Sequence, residues 1–141
     1  MPTPTEGALV AKASILLADD NSAILNHVIN LLSQTSRYEV VGALSSGAAV
    51  LREFKRLSPD VIVLDISMDL LSGIDVAQHL REYGCHSKIV FLTVHEDPDY
   101  INAAIGAGGS AYVVKSRLST DLLPALNAVL SHKMFVSPYL L

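Results

Sequence analysis

Five short apolar runs, each followed by a stretch in which apolar residues recur at helical spacing, constrain this chain more than any other feature. Ile15-Leu16-Leu17-Ala18 comes first and ends in Asp19-Asp20, after which Ile24, Val28, Leu31 and Leu32 fall on one helix face. Tyr38 to Leu44 reads as a second strand, and Val50, Leu51, Phe54 and Leu57 as a helix closed off by Pro59. Val61-Ile62-Val63-Leu64 is a third strand, stopped by Asp65; Ile74, Ala77 and Leu80 then mark a helix ended by Gly84, a good left-handed cap. Ile89 to Thr93 is a fourth strand, and Asp97-Pro98 supplies the N-cap and first-turn proline of a short helix through Ile101 and Ile105. Ala111 to Val114 is a fifth, followed by a helix from about Ser119 through Leu123, Leu126 and Leu130, in which Pro124 removes one early backbone bond.

Runs that are apolar throughout, rather than alternating, belong to strands covered on both faces, as parallel strands are. Right-handed crossovers put the intervening helices on both sides of such a sheet. The predicted fold is therefore α/β: a flavodoxin-like doubly wound five-stranded parallel sheet, order 2-1-3-4-5, with five helices. In that order strands one, three, four and five are neighbours, and their carboxyl ends carry Asp19-Asp20, Asp65, Thr93 and Lys115. Ligands of open parallel sheets sit outside this rim. Asp65, a carboxylate closing a buried strand, points at chemistry there.

Composition narrows the classes. A chain of 141 residues fits one domain able to bury roughly two-thirds of its unfolded surface. Its apolar stretches are strand-sized, so no membrane span is expected. A net charge of -4 without a Lys/Arg cluster gives no footprint for a polyanion, so no nucleic acid should be bound by this chain itself. The single Cys85 excludes an internal disulfide and fits a reducing compartment. Ala11-Lys12-Ala13 imitates a signal-peptidase site, but no basic region precedes it and Gly7 to Val10 is too short for its apolar core. Residues 1–13 are expected to be a flexible leader.

Three carboxylates and one ammonium on one rim leave excess negative charge, which raises a carboxyl pKa unless a cation relieves it. A hard divalent ion does so, and Mg²⁺ suits oxygen ligands and recruits phosphate. A metal, a carboxylate nucleophile, a lysine and a hydroxyl are the parts that phosphoryl transfer needs: charge neutralisation, in-line positioning and stabilisation of the equatorial oxygens.

Asp19-Asp20, the strand ending in Asp65, the Thr93 strand and Tyr112-Val113-Val114-Lys115 together resemble the receiver domain of a bacterial two-component response regulator. The resemblance covers roughly residues 14–131, and a joint match at four strand ends is far more specific than any single motif. It implies that Asp65 accepts a phosphoryl group from a histidine kinase. It implies further that Asp20 and Asp65 bind Mg²⁺ with the backbone carbonyl of Ser67, with Asp19 assisting through water, and that Lys115 pairs with the phosphoryl oxygens. Thr93 would move its hydroxyl onto the phosphoryl group and Tyr112 would follow inward, remodelling the face of the fourth helix, fifth strand and fifth helix. Ser116 after Lys115, Leu92-Thr93-Val94-His95-Glu96 and Phe135-Val136-Ser137-Pro138 look like the NarL/LuxR-type regulators, in which a linker and a helix-turn-helix domain follow. Residues 132–141 are accordingly expected to start a linker to an absent DNA-binding output domain. The resemblance also implies a cytoplasmic protein, with self-catalysed phosphoryl transfer and hydrolysis rather than enzymatic turnover, and homodimerisation on phosphorylation.

One departure from the family pattern stands beside the acceptor: Met68 is followed by Asp69 where a proline is usual, freeing a backbone angle and adding a carboxylate. Asp69 and His95, two residues after Thr93, are expected to modulate the site. Taken alone, Asp19 or Asp20 is a helix cap, Lys115 a solvated lysine, Thr93 strand filler and Tyr112 a core aromatic; their joint placement promotes them. His27, His79, His86 and His132 have no ligand spacing. Gly106-Ala107-Gly108-Gly109-Ser110-Ala111 fits a dinucleotide fingerprint by letter, but it follows a helix and opens a strand, so it reads as a connecting loop. A haloacid-dehalogenase-type phosphatase would need a second Asp where Ser67 stands, and its nucleophile on the first strand. A receiver-like interaction module that works without phosphorylation is the remaining alternative; the acidic pair and Lys115 argue against it, and Asp69 keeps it open.

Overall fold

The computed structural model describes residues 12–68, 70–94 and 97–137. Its elements alternate as the sequence periods require: β1 (Ala13–Ala18), α1 (Ser22–Ser33), β2 (Tyr38–Leu44), α2 (Gly47–Leu57), β3 (Val61–Asp65), α3 (Gly73–Glu82), β4 (Lys88–Thr93), α4 (Pro98–Gly106), β5 (Ala111–Val114), α5 (Leu118–Leu130) and β6 (Phe135–Val136). A single 3₁₀ turn, Lys115–Arg117, joins β5 to α5. β1 begins one residue inside the expected leader, and residues 1–11 of that leader lie outside the described residues.

The sheet is parallel throughout, in the order β2-β1-β3-β4-β5-β6. Alternate side chains of each strand enter two separate cores, which is why the strands read as continuous apolar runs. Ile15, Leu17, Val61, Val63, Val90, Leu92, Ala111 and Val113 pack with Val28 and Leu32 of α1 and Leu122, Leu126 and Val129 of α5. Leu16, Ala18, Ile62, Leu64, Ile89, Phe91 and Tyr112 pack with Val50 and Phe54 of α2, Val76 and Leu80 of α3 and Ala104 of α4. Burial on this scale contributes roughly 1.5–3 kcal/mol for each large apolar side chain.

Helix ends follow local chemistry. Asn21, Ser46, Ser72 and Asp97 cap α1 to α4 by accepting hydrogen bonds from first-turn amides, and Pro98 starts α4 as expected. Gly84 takes a positive φ of 79° just after α3, the conformation its sequence position suggested. The glycine-rich stretch closes α4 at Gly106 and connects it to β5 through residues 107–110, as its context indicated.

The expectation of five strands needs correction. After α5 the chain turns through His132, at a left-handed φ of 60°, and returns beside β5 as a sixth strand, pairing Phe135 with Ala111 and Val136 with Tyr112. It occupies the edge that β5 would otherwise present to solvent. Two residues are too few to register as a period, so Phe135-Val136 carries no strand signal of its own.

Candidate functional site

The rim formed by the carboxyl ends of β1, β3, β4 and β5 brings together the groups that the strand order assigns to it. β1 runs out at Ala18, leaving Asp19 buried and Asp20 exposed at the entrance to α1. Asp19 Oδ1 accepts a hydrogen bond from the Asn21 amide at 2.8 Å, which fixes the carboxylate as the chain turns into the helix. Asp65 closes β3 and is buried; the amide of Ser67 donates to its Oδ1 at 3.2 Å. Asp19, Asp20 and Asp65 each offer an oxygen to one space, with these atoms within 4.8 Å of one another.

Lys115 enters that space from the turn after β5. Its Nζ lies 2.8 Å from Asp19 Oδ2 and 3.2 Å from Asp65 Oδ1, bridging two buried carboxylates. Burial pushes the Asp65 carboxyl up, the neighbouring Asp19 charge pushes it further, and Lys115 and the Ser67 amide only partly oppose them, leaving it at about 6. Burial works against the Lys115 ammonium, but the hydrogen bond to Asp19 and the charges of Asp65 and Asp19 outweigh it and hold the amine above the ordinary lysine value. One ammonium therefore does not neutralise the cluster. The donor set is all oxygen, and charge remains to be balanced, so the residues present fit a hard divalent cation.

Thr93 ends β4, fully buried, and Tyr112 of β5 is fully buried in the core on the α2–α4 side. Burial raises the Tyr112 phenol, while a hydrogen bond from the Thr93 side chain opposes the rise. The pair expected to move together is thus in contact, with the tyrosine inward. Of the other residues singled out, Ser67 stands at the mouth of the site, and Asp69 and His95 lie outside the described residues. Near the rim, Gly73, whose lack of a side chain lets α3 start against the Asp65 carbonyl, and the buried Asp121 carried no legible signal, and the buried Ser137 beneath the Lys115 turn was visible only within the Phe135-Val136-Ser137-Pro138 resemblance. Arg117 and Asp121, four apart in sequence, look like an ordinary solvated helix pair.

The rim thus holds one acidic centre bridged by a lysine, and the comparisons with known proteins place the chain in a family. The family described as "Response regulator receiver domain" matches residues 15–127, and the chain belongs to that family. Such domains are signalling elements of two-component systems rather than classical enzymes. The chain is similar to the transcriptional regulatory protein DesR of Bacillus subtilis, 34% identical over 128 residues that make up 91% of this chain and 63% of that protein. It is similar in structure to a two-component response regulator of the LuxR family from Aurantimonas, with a TM-score of 0.87 and 27% identity, covering 92% of this chain and 93% of the other. The isolated receiver domain of RcsB from Salmonella enterica, solved with phosphomimetic BeF3−, matches at a TM-score of 0.84 and 26% identity, covering 93% of this chain and 99% of that one. The chain spans 63% of the length of the first curated relatives it matches. Among the described residues, no helix is long and apolar enough to cross a membrane.

Proposed function

We propose that Asp65 is a phosphoryl acceptor served by a histidine kinase, and that its modification switches the face formed by α4, β5 and α5. The observation that carries this reading is the Lys115 ammonium bridging buried Asp19 and Asp65, with Asp20 completing an acidic cluster at a strand-end rim. An Asp65 oxygen attacks phosphorus as the bond to the kinase histidine nitrogen breaks; the phosphoryl group gains an acyl oxygen and the imidazole is released. Asp19, Asp20 and Asp65, with the Ser67 carbonyl, would hold Mg²⁺, which supplies charge neutralisation for the entering group. Lys115 turns from the carboxylates to the new phosphoryl oxygens. Thr93 follows with its hydroxyl, and its contact with Tyr112 carries the change to β5. Loss of the phosphoryl group to water, assisted by the same centre, resets the switch, and Asp69 and His95 would set its rate.

The reading extends to the protein as a whole. We place it in the cytoplasm, as a receiver followed by a linker to a DNA-binding output. Dimerisation on phosphorylation would bring two such outputs together.

Incubating the protein with Mg²⁺ and acetyl phosphate, then weighing it intact, should show one phosphoryl adduct. Asp65→Asn should abolish it. An unmodified protein that forms no adduct with acetyl phosphate or phosphoramidate would instead support an interaction module, and sustained hydrolysis of an unrelated phosphate ester would support a phosphatase.

The raised Asp65 pKa sets the pH dependence. The native protein retains a proton that the unfolded chain releases between the ordinary carboxyl value of 3.8 and about 6, so metal-free stability falls as pH rises through that window. Cation binding needs the carboxylate and shows the opposite trend. Calorimetric titration with Mg²⁺ should give an affinity flat above about pH 6.5 and weakening by up to about tenfold per unit below pH 6. A pH-independent affinity between 5 and 7 would remove Asp65 from the ligand set.

A further inference from the structure

Ser137 is completely buried although it follows the last strand, in the segment that leads out of the domain. Its amide donates to the Tyr112 carbonyl at 2.9 Å. Its Oγ accepts from the Val114 amide at 3.0 Å, taking over the ladder position that β6 vacates by ending at Val136. The same hydroxyl hydrogen-bonds to the Asp121 carboxylate in α5. Asp121 is itself buried and receives two hydrogen bonds from Arg117, Nε to Oδ2 at 2.8 Å and Nη2 to Oδ1 at 3.1 Å. Burial alone would raise this carboxyl, but the bonds from Arg117 and Ser137 outweigh it and hold it below the usual range.

These contacts bracket Lys115. Val114 precedes it and Arg117 closes its 3₁₀ turn, and both are tied to Ser137, the first directly and the second through Asp121. Resting on the reading of Asp65 as the acceptor, we propose that Ser137 is a positioning residue, a clasp that couples the Lys115 turn to the chain leaving the domain. When Lys115 exchanges Asp19 for a phosphoryl oxygen, the backbone at 114–117 shifts, and Ser137 passes that shift to the exit segment. Tyr112 feeds the same point, because its carbonyl is held by the Ser137 amide. The clasp gives the phosphoryl site a route, through β5 and the start of α5, to whatever follows residue 137. Coupling of this kind is reciprocal: if site occupancy alters the clasp, loss of the clasp alters occupancy by the same factor.

The test uses the full chain, with Mg²⁺ and BeF3− as the phosphoryl mimic. Hydrogen exchange in the peptide spanning residues 133–137 should change by about fivefold or more on BeF3− binding. Ser137→Ala should abolish that change and shift the BeF3− binding midpoint by a similar factor, while Ser137→Thr, which keeps the hydroxyl, should retain both. BeF3− binding to the unmodified protein with no change in that peptide overturns the proposal, and this result needs no variant to fold. So does a Ser137→Ala protein that melts lower but keeps the original midpoint, since Ser137 would then be only a strap. An unmodified protein that binds no BeF3− overturns the acceptor reading and the coupling together.

Discussion

Lys115→Met is expected to lower the stability of the metal-free protein by about 3 kcal/mol near neutral pH, because it leaves two buried carboxylates facing each other without a cation. Asp19 and Asp65 are almost wholly buried and the Lys115 side chain is only 13% exposed, so solvent cannot take over the role of the ammonium. Methionine keeps the apolar stem and its packing, so the loss reports charge rather than volume. The sign with pH follows from Asp65. Lys115 is what restrains its carboxyl at about 6, so removing the lysine lifts the carboxyl further and lets the variant relieve its repulsion by taking up a proton. Urea unfolding should therefore show a deficit that is large at pH 7.5 and shrinks towards pH 5. Mg²⁺ should restore more stability to the variant than to the unmodified protein. A deficit below about 1 kcal/mol at pH 7.5 would mean that the ammonium does little to offset the repulsion between Asp19 and Asp65.

The parts of this molecule that could be read from its sequence are those whose signal repeats. β1, β3, β4 and β5 are apolar on both faces because both faces are covered, and each helix shows its own spacing, so strand order and rim followed from topology. Asp19, Asp20, Asp65, Thr93 and Lys115 could be assembled because each stands at the end of such a run. What escaped is short or conditional. The sixth strand is two residues long and depends on a turn through His132, whose left-handed backbone no side-chain rule anticipates. The clasp at Ser137 depends on that strand, and the Asp121 contact depends on the clasp, so one missed element hid two residues. Gly73 escaped for another reason. A glycine at a helix start reads as an ordinary loop residue, and only the three-dimensional approach of α3 to β3 shows why a side chain is excluded.

That approach makes Gly73→Ala the most severe single-methyl change expected outside the apolar core. A Cβ at this position would lie 2.2 Å from the Asp65 carbonyl oxygen and 2.9 Å from both the Asp65 carbonyl carbon and the Ile66 Cα. All three are backbone atoms, so no side-chain rotation relieves the overlap. Gly73 also donates its amide to the Ile66 carbonyl at 2.8 Å, so α3 cannot back away without breaking the bond that holds its start to the end of β3. A cost of about 3 kcal/mol is expected, at the upper end for overpacking because rigid backbone meets rigid backbone. Whatever shift accommodates the methyl must displace Asp65, the proposed acceptor, and misplacement by about 1 Å can slow a positioned reaction by up to a hundredfold. Variant protein that remains folded at low temperature should thus take up phosphoryl groups from acetyl phosphate at least about tenfold more slowly, as read by intact mass. Gly106→Ala is the matched comparison, since a Cβ there meets nothing within 4 Å and should leave stability and uptake unchanged. If Gly73→Ala lost stability but kept the normal uptake rate, α3 would have moved alone, and the position of Asp65 would be fixed by β3 and the Lys115 contact rather than by the helix behind it.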